Sequence, residues 1–412
     1  MVGLGVRVLV DPAFSASVLA AVLAGVLLGA LSGLTPGLHV NTLAVLLAAV
    51  STNLPGDPVL PGVVVLSAGV THSFLDIVPA LALGVPDAAM AATALPGHRL
   101  VLAGRGREAL RLSALGSGTA VVAAFVLGWP ITRGMRRVAP LIHAHLPALL
   151  VGVAVALVVG ERTRRARLGA ALSVLASGVL GVVVLDASLD APLGTGDVLL
   201  PTFAGLFGVP VLLAALRGGG VPPQGDDVIE SRPRHVGIAG IAGALAGAIV
   251  GYVSGISSAI AATAALGALP RLGDPDRAYV VATSGVNTSN TIFALYAFVA
   301  LGTPHTGVLV ALDRTGAPLD LPVFLLAVLL AGAFALSVLL VVGDRYLELV
   351  GRLDHHLLVA AVLALVAGLT YLLSGPFGLC VLVAASVVGH LPVFFGARRT
   401  SLMGVLLLPL AL

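Results

Sequence analysis

The stretch GALSGLTPG at residues 29–37 returns as GAIVGYVSG at residues 247–255, an offset of 218 positions. Glycine holds every fourth place in both: Gly29, Gly33 and Gly37 against Gly247, Gly251 and Gly255. Further on, Leu83-Gly84-Val85-Pro86 matches Leu301-Gly302-Thr303-Pro304 at the same offset, with no gap between the two motifs. One glycine pattern recurs easily in a chain with 51 glycines, but two motifs in one register point to an internal duplication. In each copy the glycine-rich segment is followed by an apolar piece, 38–50 or 256–269, too short to cross a bilayer alone. Thr35-Pro36-Gly37 and Ser254-Gly255 therefore read as helix breaks in mid-membrane, where proline and glycine release backbone hydrogen-bonding groups.

Composition sets the environment for these breaks. Of 412 residues 58% are apolar and 10% charged, with a mean hydropathy of +1.10. A soluble domain carries roughly 25% charged residues, so a soluble enzyme and a disordered chain are both excluded. Continuous apolar stretches, rather than alternating ones, also argue against a β-barrel. They fall near 14–34, 59–84, 109–130, 138–159, 168–185, 198–216, 236–253, 278–301, 321–342, 357–373 and 376–395. The expected fold is an all-α polytopic membrane protein with about 10–12 membrane helices, some broken or re-entrant, in two inverted repeats. Residues 1–216 hold the first repeat and its following helices, 217–235 a polar cytoplasmic linker, and 236–412 the second repeat and its following helices. The first apolar run is too long for a signal-peptide core and reads as the first span. Cys380 lies in an apolar stretch and reads as a packed, inert thiol.

Every basic residue is arginine, 22 in all against 19 acidic residues. The loops 99–111 and 161–167 carry four arginines each, whereas 186–197 has three aspartates and none. The positive-inside rule then places the first two, with the linker, in the cytoplasm and the third outside. On that count the repeats run in opposite directions through the cell membrane; Arg133, Arg136 and Arg137 fall on the wrong side. The arginines are loop charges, and no nucleic-acid partner is expected.

Polar residues gather where lipid would penalise them. Thr35, Pro36, Gly37, His39, Asn41 and Thr42 follow one another at the first break, and Ser254, Gly255, Ser257 and Ser258 at the second. Free N–H groups, hydroxyls and a half-helix N-terminus suit an anion, though a plain proline kink and close helix packing account for the same residues. A second cluster in each repeat joins Thr71-His72-Ser73 and Asp76 to Asn287-Thr288-Ser289-Asn290-Thr291, with His72 falling on Asn290 at the common offset. An ionisable group inside the membrane is a functional candidate by default. His72, Asp76, Asn287, Thr288 and Asn290 are expected to relay H⁺ or hold Na⁺, or else to form a structural His–Asp pair. His143, His145, His355, His356 and His390, near span ends, read as structural.

At these motifs the chain resembles the large membrane subunit of the tripartite tricarboxylate transporters, the TctA-type permeases, over nearly its whole length. Thr35-Pro36-Gly37 is similar to that family's first proline-glycine motif, and Leu83 to Asp87 with Ala94-Leu95-Pro96-Gly97-His98-Arg99-Leu100 and Gly104 to Leu110 to its loop and following helix. Asn287 to Asn290 falls where the family has an asparagine-rich segment. His39 and Asn41 after Gly37, Ser254 in place of a proline and no acid near 287 set it apart, as in a divergent archaeal-like branch. The resemblance implies ion-coupled uptake of a small organic anion, di- or tricarboxylate-like, by a permease that is not an enzyme and needs no cofactor or metal. The implied partners are H⁺ or Na⁺, an extracellular binding protein, a small membrane subunit and the lipid bilayer, with a homo-oligomer also compatible. Two other readings use the same residues: transport of a lipid-linked anion such as polyprenyl phosphate, and an intramembrane metallohydrolase with His39, His72 and Asp76 on zinc.

Overall fold

The computed structural model describes residues 11–36, 38, 40, 47, 56–85, 94–187, 191–193, 198–216, 221–225, 228–253, 258–269, 272–304 and 306–412, with backbone alone for 94, 95, 139, 143 and 259. Helix α1, Pro12–Gly33, starts where the Asp11 carboxylate accepts the Ala13 N–H at 2.9 Å and Pro12 occupies the first turn. It stops at the expected break: the Thr35 hydroxyl donates to the Leu31 carbonyl at 2.7 Å, and Pro36 has no N–H to extend the ladder. Helices α2, Leu60–Leu75, and α3, Ile77–Leu83, form one buried 24-residue column. It is interrupted at Asp76, because Pro79 lacks the N–H that the Leu75 carbonyl would accept.

Helix α4 is Ala94–Leu102, α5 Gly106–Ala144, α6 Leu146–Val159 and α7 Arg164–Val184. Helices α8, Leu199–Phe203, and α9, Val209–Ala215, are joined by one π-helical turn, Ala204–Gly208. Then come α10, Pro233–Tyr252; α11, Ser258–Gly267; α12, Pro275–Leu301; α13, Gly307–Arg314; α14, Leu321–Arg352; α15, His355–Gly389; and α16, Leu391–Phe395. A 3₁₀ turn, Arg399–Met403, leads into α17, Gly404–Ala411. No strand occurs among the described residues.

Among those residues seven helical segments are long and apolar enough to cross a membrane, and three shorter apolar segments join them. Leu19, Leu23, Leu27 and Leu31 form an exposed stripe along α1, one every four residues, the outward face of a helix that meets hydrocarbon rather than water. The protein is an all-α, multi-pass membrane protein.

The duplication is written into the packing. A Cβ at Gly33 would lie 2.9 Å from Leu75 Cβ and 3.0 Å from the His72 carbonyl; one at Gly251 would lie 3.1 Å from Phe293 Cβ and 3.0 Å from the Asn290 carbonyl. Each pair of neighbours is related by 218, so α10 lies on α12 as α1 lies on α2, backbone to backbone as small residues allow. The caps repeat too. Gly84 and Gly302 have φ of +67° and +75°, and their N–H groups donate to the carbonyls of Ala80 and Phe298, again 218 apart. The Leu-Gly-x-Pro motif thus ends a helix with a left-handed residue that glycine adopts freely.

The equivalent columns run in opposite directions. Ser73 meets Thr288, Asp76 meets Asn287, and Gly97 bridges Leu81 to Val280, so residue numbers fall along α12 as they rise along α2 and α3. The repeats are inverted. In the second, Thr263 Oγ1 lies 2.7 Å from Tyr279 Oη near the start of α12, so α11 turns back toward the face from which α10 set out. Helices α10 and α11 thereby form the two arms of a re-entrant hairpin.

Three readings are corrected. Arg133, Arg136 and Arg137 occupy no loop: α5 continues unbroken past them, and Arg136 donates to the Ala300 carbonyl at 2.8 Å. Cys380 is exposed on the outer face of α15, because an apolar residue inside a membrane packs against lipid as readily as against protein. The segment 399–411, absent from the predicted spans, is apolar and helical and packs against α7, where Gly404 approaches Ser177 Oγ. The break between the stretches 357–373 and 376–395 is sharp. At Gly375 φ is +66° and ψ −167°, and a Cβ on Gly378 would lie 3.3 Å from Thr370 Cγ2, which a straight helix would carry about 12 Å away.

Candidate substrate and ion site

Where the inverted columns cross, the side chains are polar and fully enclosed. The Asn287 amide donates to the Asp76 carboxylate at 2.7 Å, with Asp76 2% and Asn287 7% exposed. Ser73 Oγ lies 3.3 Å from Thr288 Oγ1, and the Thr288 hydroxyl donates to Ser117 Oγ on α5 at 2.9 Å. Ser117 reaches the Ser284 carbonyl at 3.3 Å, and Ser113 and Ser284 share a hydrogen bond of 2.8 Å. His72 Nδ1 pairs with Ser32 Oγ of α1 at 2.9 Å, and Ser32 also donates to its own Gly29 carbonyl. Hydroxyls, amides and a carboxylate therefore link four helices, bonding one another because lipid offers no partner.

The predicted coupling residues meet there: His72, Asp76, Asn287 and Thr288 form one connected region. Asn290, the counterpart of His72, lies on α12 beside Gly247 and Gly251. Its buried Oδ1 has no hydrogen-bond partner among the described residues, and neither do Thr71 Oγ1 and Ser67 Oγ. The ends of α1 and α10, which precede the two breaks, flank this crossing. Gly33, at the end of α1, packs against Asp76, the partner of Asn287; Gly251, near the end of α10, packs against Ala294, seven residues or about 10 Å further along α12.

Of the predicted anion-binding residues, Thr35 caps its own helix, Pro36 is buried at the break, and buried Ser258 opens α11. Gly37, His39, Asn41, Thr42, Ser254, Gly255 and Ser257 lie outside the described residues. Sequence reading passed over Ser32, Ser113, Ser117 and Ser284. Ser113 and Ser117 are four apart and share a helix face, a signal available in the sequence, but small hydroxyls in a glycine-rich helix resemble ordinary packing residues. Among the described residues no three His, Cys, Asp or Glu side chains converge as a metal site. His145 and His390 donate to the Leu141 and Ser386 carbonyls of the helices that precede them, at 2.9 and 2.8 Å, and His355 bonds the Ala215 carbonyl.

One face of the bundle is clamped by ion pairs. Glu108, 1% exposed, receives Arg277 at 2.8 and 3.0 Å, Arg105 at 3.0 Å and the Glu230 N–H at 3.0 Å. Arg99 pairs with Asp276, Arg111 with Asp344 at 2.8 Å and Arg107 with Glu348 at 2.8 Å. Arg105 also bonds Glu230, which raises the Arg105 pKa and lowers that of Glu230. These bonds tie Glu230 to the starts of α5 and α12, the two helices that carry the serine chain and the Asn287 side. His98 donates to the Leu81 carbonyl at 2.6 Å, and burial holds its pKa below the ordinary imidazole value, with that carbonyl offsetting part of the shift.

Inverted repeats, helices broken at matching places and an enclosed polar crossing between them define a membrane transporter. Residues 19–404 match the family model of the tripartite tricarboxylate transporter TctA family. The chain belongs to that family. It is also 24% identical over 385 residues to an uncharacterized protein of Methanocaldococcus jannaschii, covering 91% of this chain and 93% of the relative. No solved structure matches it.

Proposed function

We propose that the protein is a secondary active transporter of a small di- or tricarboxylate-like anion across the cell membrane, coupled to H⁺ or Na⁺. The single observation that carries this reading is the Asp76–Asn287 hydrogen bond, enclosed at the crossing of two inverted columns and flanked by the ends of α1 and α10. The anion sits between the breaks, held by Thr35, Pro36, Gly37, His39, Asn41 and Thr42 on one side and Ser254, Gly255, Ser257 and Ser258 on the other. Hydroxyls, and the backbone N–H groups of all of these but Pro36, replace its water. His72, Asp76, Asn287, Thr288 and Asn290 take the coupling cation. Asp76 supplies the charge, and the open acceptor on Asn290 is what a Na⁺ ion or a protonated group would fill. Because the cation neutralises the buried carboxylate, the loaded crossing costs less to move past lipid than the empty one.

The division into 1–216, a cytoplasmic linker 217–235 and 236–412 belongs to this proposal, with the ion-pair clamp on the cytoplasmic side. An extracellular binding protein delivers cargo, and a small membrane subunit completes the assembly. The test is uptake of labelled citrate, succinate and malate into proteoliposomes under imposed Na⁺ or H⁺ gradients. Accumulation driven by one gradient and lost in Asp76→Asn supports the reading. No gradient-driven uptake of any of these acids by folded protein, with the binding protein and small subunit supplied, overturns it.

A further inference from the structure

A second place in the molecule is built for anions. A cleft of about 920 Å³ opens between the re-entrant arm α11, the start of α12 and the turn that carries Arg398 and Arg399. Four arginines line it, Arg99, Arg162, Arg398 and Arg399, against one carboxylate, Asp276. Arg99 is taken up by Asp276, and Arg398 by Glu161 at 3.1 Å and the Gly160 carbonyl at 2.8 Å. Arg162 and Arg399 have no carboxylate partner among the described residues. Among the described residues Arg399 donates to the Phe207 carbonyl at 3.3 Å, from the π-helical turn.

The cleft continues inward. A smaller cavity of about 310 Å³ shares Thr263 and Arg398 with it and runs along α11 to Ile260, two residues from Ser258 at the second break. The Thr263–Tyr279 hydroxyl pair lines the passage. Guanidinium groups stay charged, bind carboxylates through two parallel N–H bonds, and concentrate anions in a recess with low-dielectric walls.

We propose that this cleft, on the same face as the ion-pair clamp, is the exit vestibule, which binds a small multivalent carboxylate between the arginine-bearing face and the start of α11 at Ser258, with Arg162 and Arg399 as its anion-holding cations. This rests on the transport reading above and adds to it a site about which that reading is silent. The same guanidinium pair would accept the phosphate of an anionic lipid headgroup, and the experiment separates the two sources.

Binding of radiolabelled citrate is measured on the purified full chain in nanodiscs of phosphatidylcholine, for the parent, Arg162→Gln, Arg399→Gln and the double variant, with Asn287→Ala as the central control. Each arginine change is expected to weaken citrate binding about tenfold, the loss of one charge-assisted contact in a partly wet cleft. Arg399→Lys, which keeps the charge, should recover part of it. Unchanged citrate binding in the folded double variant overturns the vestibule, and it leaves the central site standing if Asn287→Ala weakens binding. The vestibule holds, and the central assignment falls, if the arginine variants weaken binding while Asn287→Ala does not. Native mass spectrometry after reconstitution with phosphatidylglycerol decides the lipid arm. Loss of retained anionic lipid in the double variant, with citrate binding intact, assigns the cleft to lipid and refutes the proposal.

Discussion

The most informative perturbation is at the crossing. Asn287→Ala removes the 2.7 Å donor from Asp76 without adding bulk, in a place where both residues are more than nine-tenths buried. A hydrogen bond to a charged group is worth about 1.5–3 kcal/mol. If the pair serves the transport cycle, uptake should fall roughly 10- to 150-fold, at about 1.4 kcal/mol per decade. The reversed pair, Asp76→Asn with Asn287→Asp, keeps one carboxylate and one amide across the same gap. Asn287→Asp alone sets two carboxylates there, with about 6 kcal/mol of repulsion at an effective dielectric of about 20 if both are charged. The expected order of thermal stability is therefore parent, then the reversed pair, then Asn287→Asp. Gradient-driven uptake in proteoliposomes and the melting temperature of the same preparations are the two readouts. Uptake by Asn287→Ala within twofold of the parent, at unchanged melting temperature, would refute the assignment. A reversed pair no more stable than Asn287→Asp would show that the two side chains do not interact.

Three further outcomes follow from the packing and the clamp. Glu108→Gln leaves Arg277 and Arg105 without their buried countercharge and should cost about 3 kcal/mol, seen as a lower melting temperature; an unchanged melting temperature would argue that the clamp is ornamental. Gly251→Val places a side chain against the Ala294 N–H and Asn290 carbonyl, at 2.9 and 3.0 Å, and should destabilise by about 1–3 kcal/mol, while the same change at Gly368, where nothing lies nearby, should not. His98 has a folded pKa below its unfolded value of 6.5, so the unfolded chain takes up the proton first. Its contribution is therefore present above pH 6.5 and lost as pH falls, so melting temperature should drop between pH 7 and 5 more steeply in the parent than in His98→Gln. Parallel pH profiles would remove His98 as the cause.

The central site was legible in part. His72, Asp76 and Asn287 stood out because ionisable and amide groups in apolar stretches carry a cost that demands a reason. Their meeting was not legible. Asp76 and Asn287 are 211 positions apart, and only antiparallel packing of two equivalent columns puts them at hydrogen-bond distance. Ser113, Ser117 and Ser284 were missed because a serine on a helix is ambiguous until its neighbour is known: each can bond its own backbone or another helix.

What the sequence determined by itself was the solvent and the symmetry. Scarce charge and long apolar runs dictate lipid, since neither can be satisfied in water, and glycine spacing at a fixed offset dictates that two units pack alike. Residues that act locally, the Pro36 stop and the Gly84 and Gly302 caps, were readable because backbone chemistry reaches only a few positions. Tertiary structure alone decided the rest. Arg133 to Arg137 could have ended a helix or continued it, and the carbonyl of Ala300 helped decide. Cys380 could have faced protein or lipid, since both are apolar. The arginine cleft draws residues 99, 162, 398 and 399 from three separate parts of the chain. Charges so far apart share a site only when the fold brings them within a few ångströms, a distance no linear pattern encodes.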